Sequence, residues 1–369
     1  MTFKSGKFHF TQKFDEAKIN NLLVRAIVLN ETVVDLPVLP ELSVRLEPDI
    51  MYSSISGTAM IEGNAIIEED VKKIAEGEDL DHYTQKDKKE VENLIKAYAW
   101  LAKIEPLGTP FVLTEKGIKE VHSIITSDVV YDSNMPGMYR NVKVYVGDKA
   151  HGGSYTPPKI LSDIKTLMAA FVDWINSEEI LSLNPFIRAA LAHYHLCLIH
   201  PFADGNGRTA RMIEAFLLQS AKIKYVPKKI SDFYYRNVDD YYIAFSKSIK
   251  NKKDVTPFVE FVLTGAIESL EGIKKSIIYS IRKFSLRDFY AFEVKNKKIT
   301  RRQFELLLLL LDNPIEISLK DLFEKRPFSL VYNKVTTQTA RRDLKNLINI
   351  NILNTTGNNK YFLNFRALG

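Results

Sequence analysis

Ile199–His200–Pro201–Phe202–Ala203–Asp204–Gly205–Asn206–Gly207–Arg208–Thr209–Ala210–Arg211 is the stretch on which the reading of this chain turns. His200 ends an apolar helical pattern, Pro185–Ile199, and enters a turn at Pro201. An imidazole there can take a proton near neutral pH. Gly205 and Gly207 allow positive φ and a close backbone approach to a ligand. The loop feeds a helix expected from about Arg208 to Ala221, so free N–H groups and the positive end of the helix dipole face whatever the loop holds. Arg208 and Arg211 lie three apart on the first turn, on one side. Cations at a helix start oppose the dipole and therefore ask for an anion, and a planar guanidinium grips phosphate oxygens bidentately. Asp204 beside them suits Mg²⁺, which takes one or two carboxylates plus phosphate oxygens. Each feature alone has a bland reading. Their conjunction describes a base, a polyphosphate cradle and a metal ligand.

HPFADGNGRTAR resembles the signature of the Fic family, H-P-F-x-D/E-G-N-G-R-x-x-R, and matches at every defining position. The resemblance extends over roughly residues 51–265. His193 and Ile199 fit the family's helix before the motif, whereas Leu196 stands where an aromatic is common. Gly137–Met138–Tyr139–Arg140 and Val144–Tyr145–Val146–Gly147 look like the strand that leads into and forms the family's target-binding flap. The resemblance implies a mainly α fold: a Fic-type helical core with a short β-hairpin flap. It implies a protein adenylyltransferase that moves AMP from ATP to a Ser, Thr or Tyr hydroxyl and releases pyrophosphate. His200 is then the base and Asp204 the Mg²⁺ ligand. Gly205, Asn206 and Gly207 cradle the α- and β-phosphates, Arg208 steadies the β- and Arg211 the γ-phosphate, and Thr209 and Ala210 complete the ATP-binding stretch. Tyr241 and Tyr242 resemble the pair lining the family's adenine pocket, and the backbone at Val146 and Gly147 would take up an extended target segment by strand addition. Phe202 anchors the loop in the core. Gly207 stands where the family's phosphate-transferring branch has Lys, which argues against that chemistry; the choice of ATP rests on family prevalence.

Thr58–Ala59–Met60–Ile61–Glu62–Gly63–Asn64 contains Ser/Thr-x-x-x-Glu-Gly/Asn, which in that family marks an inhibitory helix, here placed before the core. Glu62, with Thr58 beside it, would engage Arg211 and remove the guanidinium that orients the γ-phosphate; a small misplacement costs much rate. Some relatives with this glutamate also remove AMP from their targets, so Glu62 orienting a water is a second expectation.

Around this core the chain is ordinary in composition. Its 369 residues suffice for two or three domains. Net charge +6 by itself means only a basic surface. No apolar run reaches membrane-spanning length, Met1–Lys4 lacks a signal-peptide h-region, and a single cysteine, Cys197, excludes an internal disulfide and a cysteine-built zinc cluster. The expectation is a cytoplasmic protein without membrane contact. Residues 1–50, with Pro37, Pro40 and Pro48, read as an extended arm or short helices. Residues 1–110 are expected to form an N-terminal part carrying the inhibitory helix near 51–64, and 111–283 the catalytic core. Val142, Val144 and Val146 alternate with polar residues, so Asn141–Val146 reads as a short strand. A long helix starts at Pro257 and is expected to end near Lys283.

From 284 the chain turns Lys-, Arg- and Asn-rich. Helices are expected at Gln303–Asp312, Ser318–Phe323 and Thr336–Ile348. Asn351–Thr355 and Lys360–Asn364 flank Gly357–Asn358–Asn359, which is hairpin-turn chemistry. That outline is a winged helix-turn-helix, with Arg341, Arg342 and Lys345 on its recognition helix and Lys360 in the wing, able to meet DNA phosphates. Protein contact or homodimerisation is the equal alternative for this domain. The rival reading of the whole chain is accordingly a DNA-binding regulator in which the Fic site serves only autoregulation.

Overall fold

The computed structural model describes all residues except 1, 4–5, 105–110, 130–134, 148, 252–253, 357–358 and 369. The element order is β1 (Thr2–Phe3), β2 (Gly6–Lys7), α1 (Glu16–Asp35), α2 (Pro40–Ile61), α3 (Glu68–Ala75), α4 (Gln85–Leu101), α5 (Glu115–Thr126), α6 (Leu161–Ile175), α7 (Glu178–Leu181) and α8 (Pro185–Ile199). It continues with α9 (Asn206–Ser220), α10 (Ile230–Arg236), α11 (Val238–Lys250), α12 (Thr256–Lys295), α13 (Arg301–Asp312), β3 (Ile317–Ser318), α14 (Asp321–Glu324), α15 (Phe328–Tyr332), α16 (Thr337–Asn349), β4 (Leu353–Thr355) and β5 (Lys360–Leu363). Two compact units result, Met1–Leu36 with Ser43–Lys274, and Pro37–Leu42 with Lys275–Gly369.

In the first unit the axis is α8. Asn184 caps it by accepting from the Phe186 N–H, and Pro185 occupies the first turn, where its missing N–H costs nothing. Every residue from Phe186 to Ile199 is buried, as expected of a helix that is apolar all round. It packs against α9, itself buried on most of its circumference. Amphipathic helices cover this pair: α4 through Val91, Leu94 and Leu101, α5 through Ile118, Val121 and Ile125, and α6 through Leu167 and Phe171.

Three local expectations are corrected. Residues 1–50 are neither an extended arm nor short helices, because α1 runs 20 residues and α2 runs 22. Asp15 caps α1, and Pro40 begins α2. Pro48 lies inside α2, where burial of Leu46 and Ile50 overrides its poor propensity. Asn141–Val146 is not a strand, since its alternating valines yield one isolated bridge, Val146↔Tyr155. A lone two-stranded ribbon has little burial to stabilise it. The long helix does not stop near Lys283 but continues to Lys295, because Leu286 and Tyr290 are buried in the second unit's core.

The second unit packs α13, α15 and α16 on that core, with Leu306, Leu310, Tyr332, Leu344 and Leu347 at its centre. A three-stranded antiparallel sheet, in the order β3-β5-β4, closes it with Ile317 opposite Tyr361 and Leu353 opposite Leu363. Buried Asp343 ties the helices together, accepting from Arg302 Nε at 2.7 Å, Gln303 Nε2 at 3.2 Å and the Tyr332 hydroxyl at 3.3 Å. The turn expected at Gly357–Asn358 falls outside the described residues. Strand β3 and helix α15 were not foreseen; each is five residues or fewer, too short to show a period.

Candidate active site

Helix α8 must end at Ile199 because Pro201 cannot continue it. His200 makes the stop in the left-handed region, φ 49°, with its N–H donating to Leu196 O at 2.9 Å. A non-glycine residue there costs roughly 1–2 kcal/mol. The imidazole Nδ1–H donates to Cys197 O at 3.3 Å, since a carbonyl can only accept, which leaves Nε2 as the basic nitrogen. Burial, aided by the nearby Arg140 cation, pushes the imidazole down to about 4, although the Cys197 carbonyl, Glu62 and Asp204 pull the other way. At neutral pH His200 is therefore a neutral base.

The loop that follows is closed on itself. Asn206 Oδ1 accepts from Phe202 N and its Nδ2 donates to Phe202 O, both at 2.9 Å, so this side chain shapes the loop. Gly205 starts α9 in the left-handed region, φ 74°, and supplies no capping side chain; the first turn holds no acid either. A β-carbon at Gly205 would sit 2.8 Å from Thr126 Cγ2. At Gly207 it would sit 2.3 Å from Glu62 Oε1, so the Glu62 carboxylate lies directly over the start of α9. That carboxylate stands where an anionic oxygen of a ligand would bind. It also pairs with Arg211 Nη2 at 2.6 Å, while Thr58 accepts from Arg211 Nε through Oγ1 at 2.6 Å and from Nη2 through its carbonyl at 3.2 Å. Burial would raise the Glu62 carboxyl, but Arg211 and Arg208 outweigh it and hold it below the usual carboxylate range.

One cavity of about 260 Å³ gathers these groups. Glu62, Gly207 and Arg211 line one part, His200 and Cys197 another, and Tyr241, Tyr242, Phe245 and Ile249 present the face of α11. Val146, Gly147 and His151 contribute from the flap. The structure thus brings together His200, Gly207, Arg211, Tyr241, Tyr242, Glu62, Val146 and Gly147. Others named from sequence stand off the cavity wall. Thr209 and Ala210 are buried in the core. Arg208 is buried and paired with Glu90 at 3.1 Å, and also reaches Asp204 at 3.3 Å. Asp204 is 41% exposed at the rim, where one carboxylate beside an uncapped helix start fits the way Mg²⁺ is held together with phosphates. Among the described residues no cluster of three metal-ligating side chains exists, and no helix is long and apolar enough to cross a membrane.

Several supporting contacts are not legible in the sequence. Buried His122 accepts the Gly137 N–H at Nδ1 (2.9 Å), so its Nε2–H donates to Asp204 O (3.0 Å), and its ring stacks on Phe202 at 3.6 Å. His193, fully buried, pairs with Glu214 at 2.8 Å and bonds the Tyr241 hydroxyl at 2.9 Å, while Tyr234 donates to the same carboxylate at 2.7 Å. Burial opposes charging His193, yet Glu214 and Cys197 lift it to about 9. Their only signal in the chain is polar residues on faces that must be buried.

A helical domain that converges a neutral histidine, the Arg211 guanidinium and an uncapped helix start on one cavity is built to handle an anion beside a proton acceptor. Residues 112–218 match the Fic/DOC family model, and the chain carries a Fic domain. It is 40% identical over 152 residues to the protein adenylyltransferase Fic of Drosophila willistoni, a match covering 41% of this chain and 27% of that one. The chain therefore spans about a quarter of the length of the curated relatives it matches. Among solved structures, a Fic family protein from Desulfovibrio desulfuricans shares the fold at TM-score 0.62 and 20% identity, covering 96% of this chain and 98% of that one. A Fic domain containing signaling protein from Bacteroides thetaiotaomicron does so at TM-score 0.55 and 23% identity, covering 70% and 97%.

Proposed function

We propose that this protein is a protein adenylyltransferase, held in check by Glu62. The observation that carries the reading is the cavity in which basic Nε2 of His200 shares one space with Gly207 and Arg211. ATP would lay its polyphosphate over the start of α9 and its adenine against Tyr241 and Tyr242. Nε2 takes the proton of a target Ser, Thr or Tyr hydroxyl, the oxygen attacks the α-phosphorus, and the bond from that phosphorus to the bridging oxygen breaks. AMP is then joined to the target and pyrophosphate leaves. Arg211 holds the γ-phosphate once Glu62 has swung aside, and preorganised charge of this kind is the main catalytic device for such transfers. Asp204 would hold Mg²⁺, which supplies charge neutralisation to the phosphates when bound. A target segment would add to the flap beside Val146 and Gly147, extending the Val146↔Tyr155 bridge by strand addition. The test is incorporation of α-labelled AMP into the chain itself. We expect a signal from Glu62→Gly that His200→Ala abolishes, and a signal persisting in His200→Ala would overturn the assignment of the base.

The second unit supports a further binding role as a winged helix. Thr337, Gln338, Arg341, Arg342 and Lys345 are exposed on one side of α16, and none of these three cations has an acidic partner among the described residues. A face so free of acids fits nucleic-acid phosphates. A gel shift with duplex DNA at two salt concentrations tests it: Arg341→Ala with Arg342→Ala should weaken binding and flatten the salt slope by about 2. Absence of any shift at low salt returns this unit to protein contact.

A further inference from the structure

Arg140 is 2% exposed, and among the described residues no carboxylate pairs with it. Its hydrogen bonds all go to backbone carbonyls. Nε donates to His200 O at 2.7 Å, Nη1 to Val142 O at 2.9 Å, and Nη2 to Pro158 O at 2.6 Å and Ile199 O at 3.5 Å. Its own N–H donates to Pro201 O at 2.9 Å. Two of these acceptors, Val142 and Pro158, are the two ends of the flap. The other three, Ile199, His200 and Pro201, are the turn that presents the base. The left-handed turn at His200 throws that residue's carbonyl out of the helix ladder, and Arg140 Nε is what receives it.

We propose that Arg140 is a positioning residue of the transfer site, a buried guanidinium that clamps both ends of the flap to the turn carrying His200. This rests on the adenylyltransferase reading. The flap needs such a clamp because, among the described residues, Val146↔Tyr155 is its single bridge. Five donors in a rigid planar fork hold carbonyls from two segments in fixed geometry; an ammonium on a flexible stem has three rotatable donors and no preorganised fork. The cation has a second effect through space, since it disfavours protonation of His200. The other charged or titratable groups around that imidazole, among the described residues, are Glu62 just after α2, Cys197 from α8, Asp204 from the loop, Arg211 from α9, Tyr241 and Tyr242 from α11, and Tyr145, His151 and Tyr155 from the flap. Arg140 thus links the surface that receives the target to the geometry and the protonation of the base.

The test uses the full chain with Glu62→Gly as parent, measuring α-labelled AMP incorporation from pH 4 to 8 and, in parallel, the titration of His200 by NMR of isotope-labelled histidine. Arg140→Gln should lower kcat about 10- to 100-fold with the KM for ATP within about threefold, because orientation of the base is lost while the phosphate site stays. Its acid limb, and the His200 titration, should move up by about one pH unit as the cation is removed. Arg140→Lys should keep the limb near its parent position yet lose kcat, because charge is retained and the fork is not. If Arg140→Gln does not fold, Arg140→Lys decides. Full parental kcat in Arg140→Lys, or in a folded Arg140→Gln an unmoved limb or a kcat within twofold of parent, overturns the proposal. If the parent incorporates no AMP at any pH, the transferase reading has failed instead. The His200 titration in Arg140→Gln, or in Arg140→Lys if the former does not fold, then still tests the electrostatic half of the clamp, while faster amide exchange at Val146 and Tyr155 tests the mechanical half.

Discussion

Glu62→Gly should make the protein less stable and more active, and the two effects share one source. The Glu62 side chain is 28% exposed and that of Arg211 2%, with Nη2 to Oε1 at 2.6 Å. An exposed pair is worth up to about 1 kcal/mol, and removing one partner of a fully buried pair costs about 3–5 kcal/mol. This half-buried pair belongs between, at about 2–3 kcal/mol, since Arg211 keeps its two bonds to Thr58. In the proposed reaction ATP would recruit Arg211 to its γ-phosphate, which requires breaking that pair. Deleting the carboxylate therefore lifts a barrier of the same size, about 30- to 150-fold in kcat/KM for ATP. The assay is self-incorporation of α-labelled AMP at ATP concentrations below KM, alongside urea unfolding. Stability should fall by about 2 kcal/mol while the rate rises. Glu62→Gln, which keeps the shape and loses the charge, should fall between parent and glycine in both. A rate gain below about threefold in Glu62→Gly, or a gain with no loss of stability, would refute the view that the ion pair itself is the brake.

Gly207→Ala attacks the same contact from the other side. Its methyl would meet Glu62 Oε1 at 2.3 Å and Arg211 Nη1 at 3.1 Å, so it should break the ion pair, lower stability by about 1–3 kcal/mol and still fail to raise the rate, because it fills the phosphate cradle. An activated Gly207→Ala would show that the cradle lies elsewhere. Stability should also depend on pH with opposite signs on either side of neutrality. Burial holds His122 and His195 down to about 4, below their unfolded value. Each therefore contributes stability that is complete above pH 6.5 and is lost as pH falls toward 4, on the order of 3 kcal/mol apiece. His193, lifted to about 9, contributes stability that is complete below pH 6.5 and is lost as pH rises through 9. Urea unfolding at pH 5, 6.5 and 8.5 should peak at the middle value, and a monotonic profile would remove this assignment of charges.

The conformation of the loop was legible in the chain because its signals are local. A histidine at a helix end, glycines at a turn and arginines on a first turn act over a few residues, and backbone geometry alone places them. The same holds for α8, whose limits follow from local residues, Pro185 at its start and Pro201 just past its end. Thr58 and Glu62 were legible for a different reason: their spacing is a local pattern, although Arg211, the residue they meet, lies 149 positions beyond Glu62.

What the chain alone could not reveal depends on distant segments coming together. Arg140 reads as part of a stretch leading into the flap, and only the fold shows Val142, Pro158 and the 199–201 turn surrounding its guanidinium. His193 reads only as a residue of the helix before the motif and His122 carries no signal of its own; packing alone shows which carbonyl, amide or carboxylate each ring nitrogen meets. The flap failed as a strand because alternation predicts a ribbon only where a second strand offers a full ladder and a core covers one face. Helix α12 overran its expected end because its last turns are stabilised by a hydrophobic core built from residues that follow them. Local sequence determines which conformations are cheap and which groups are reactive. Burial, charge environment and the satisfaction of stray carbonyls are properties of the assembled fold, and in this protein they decide whether His200 is a base and whether Arg211 is available.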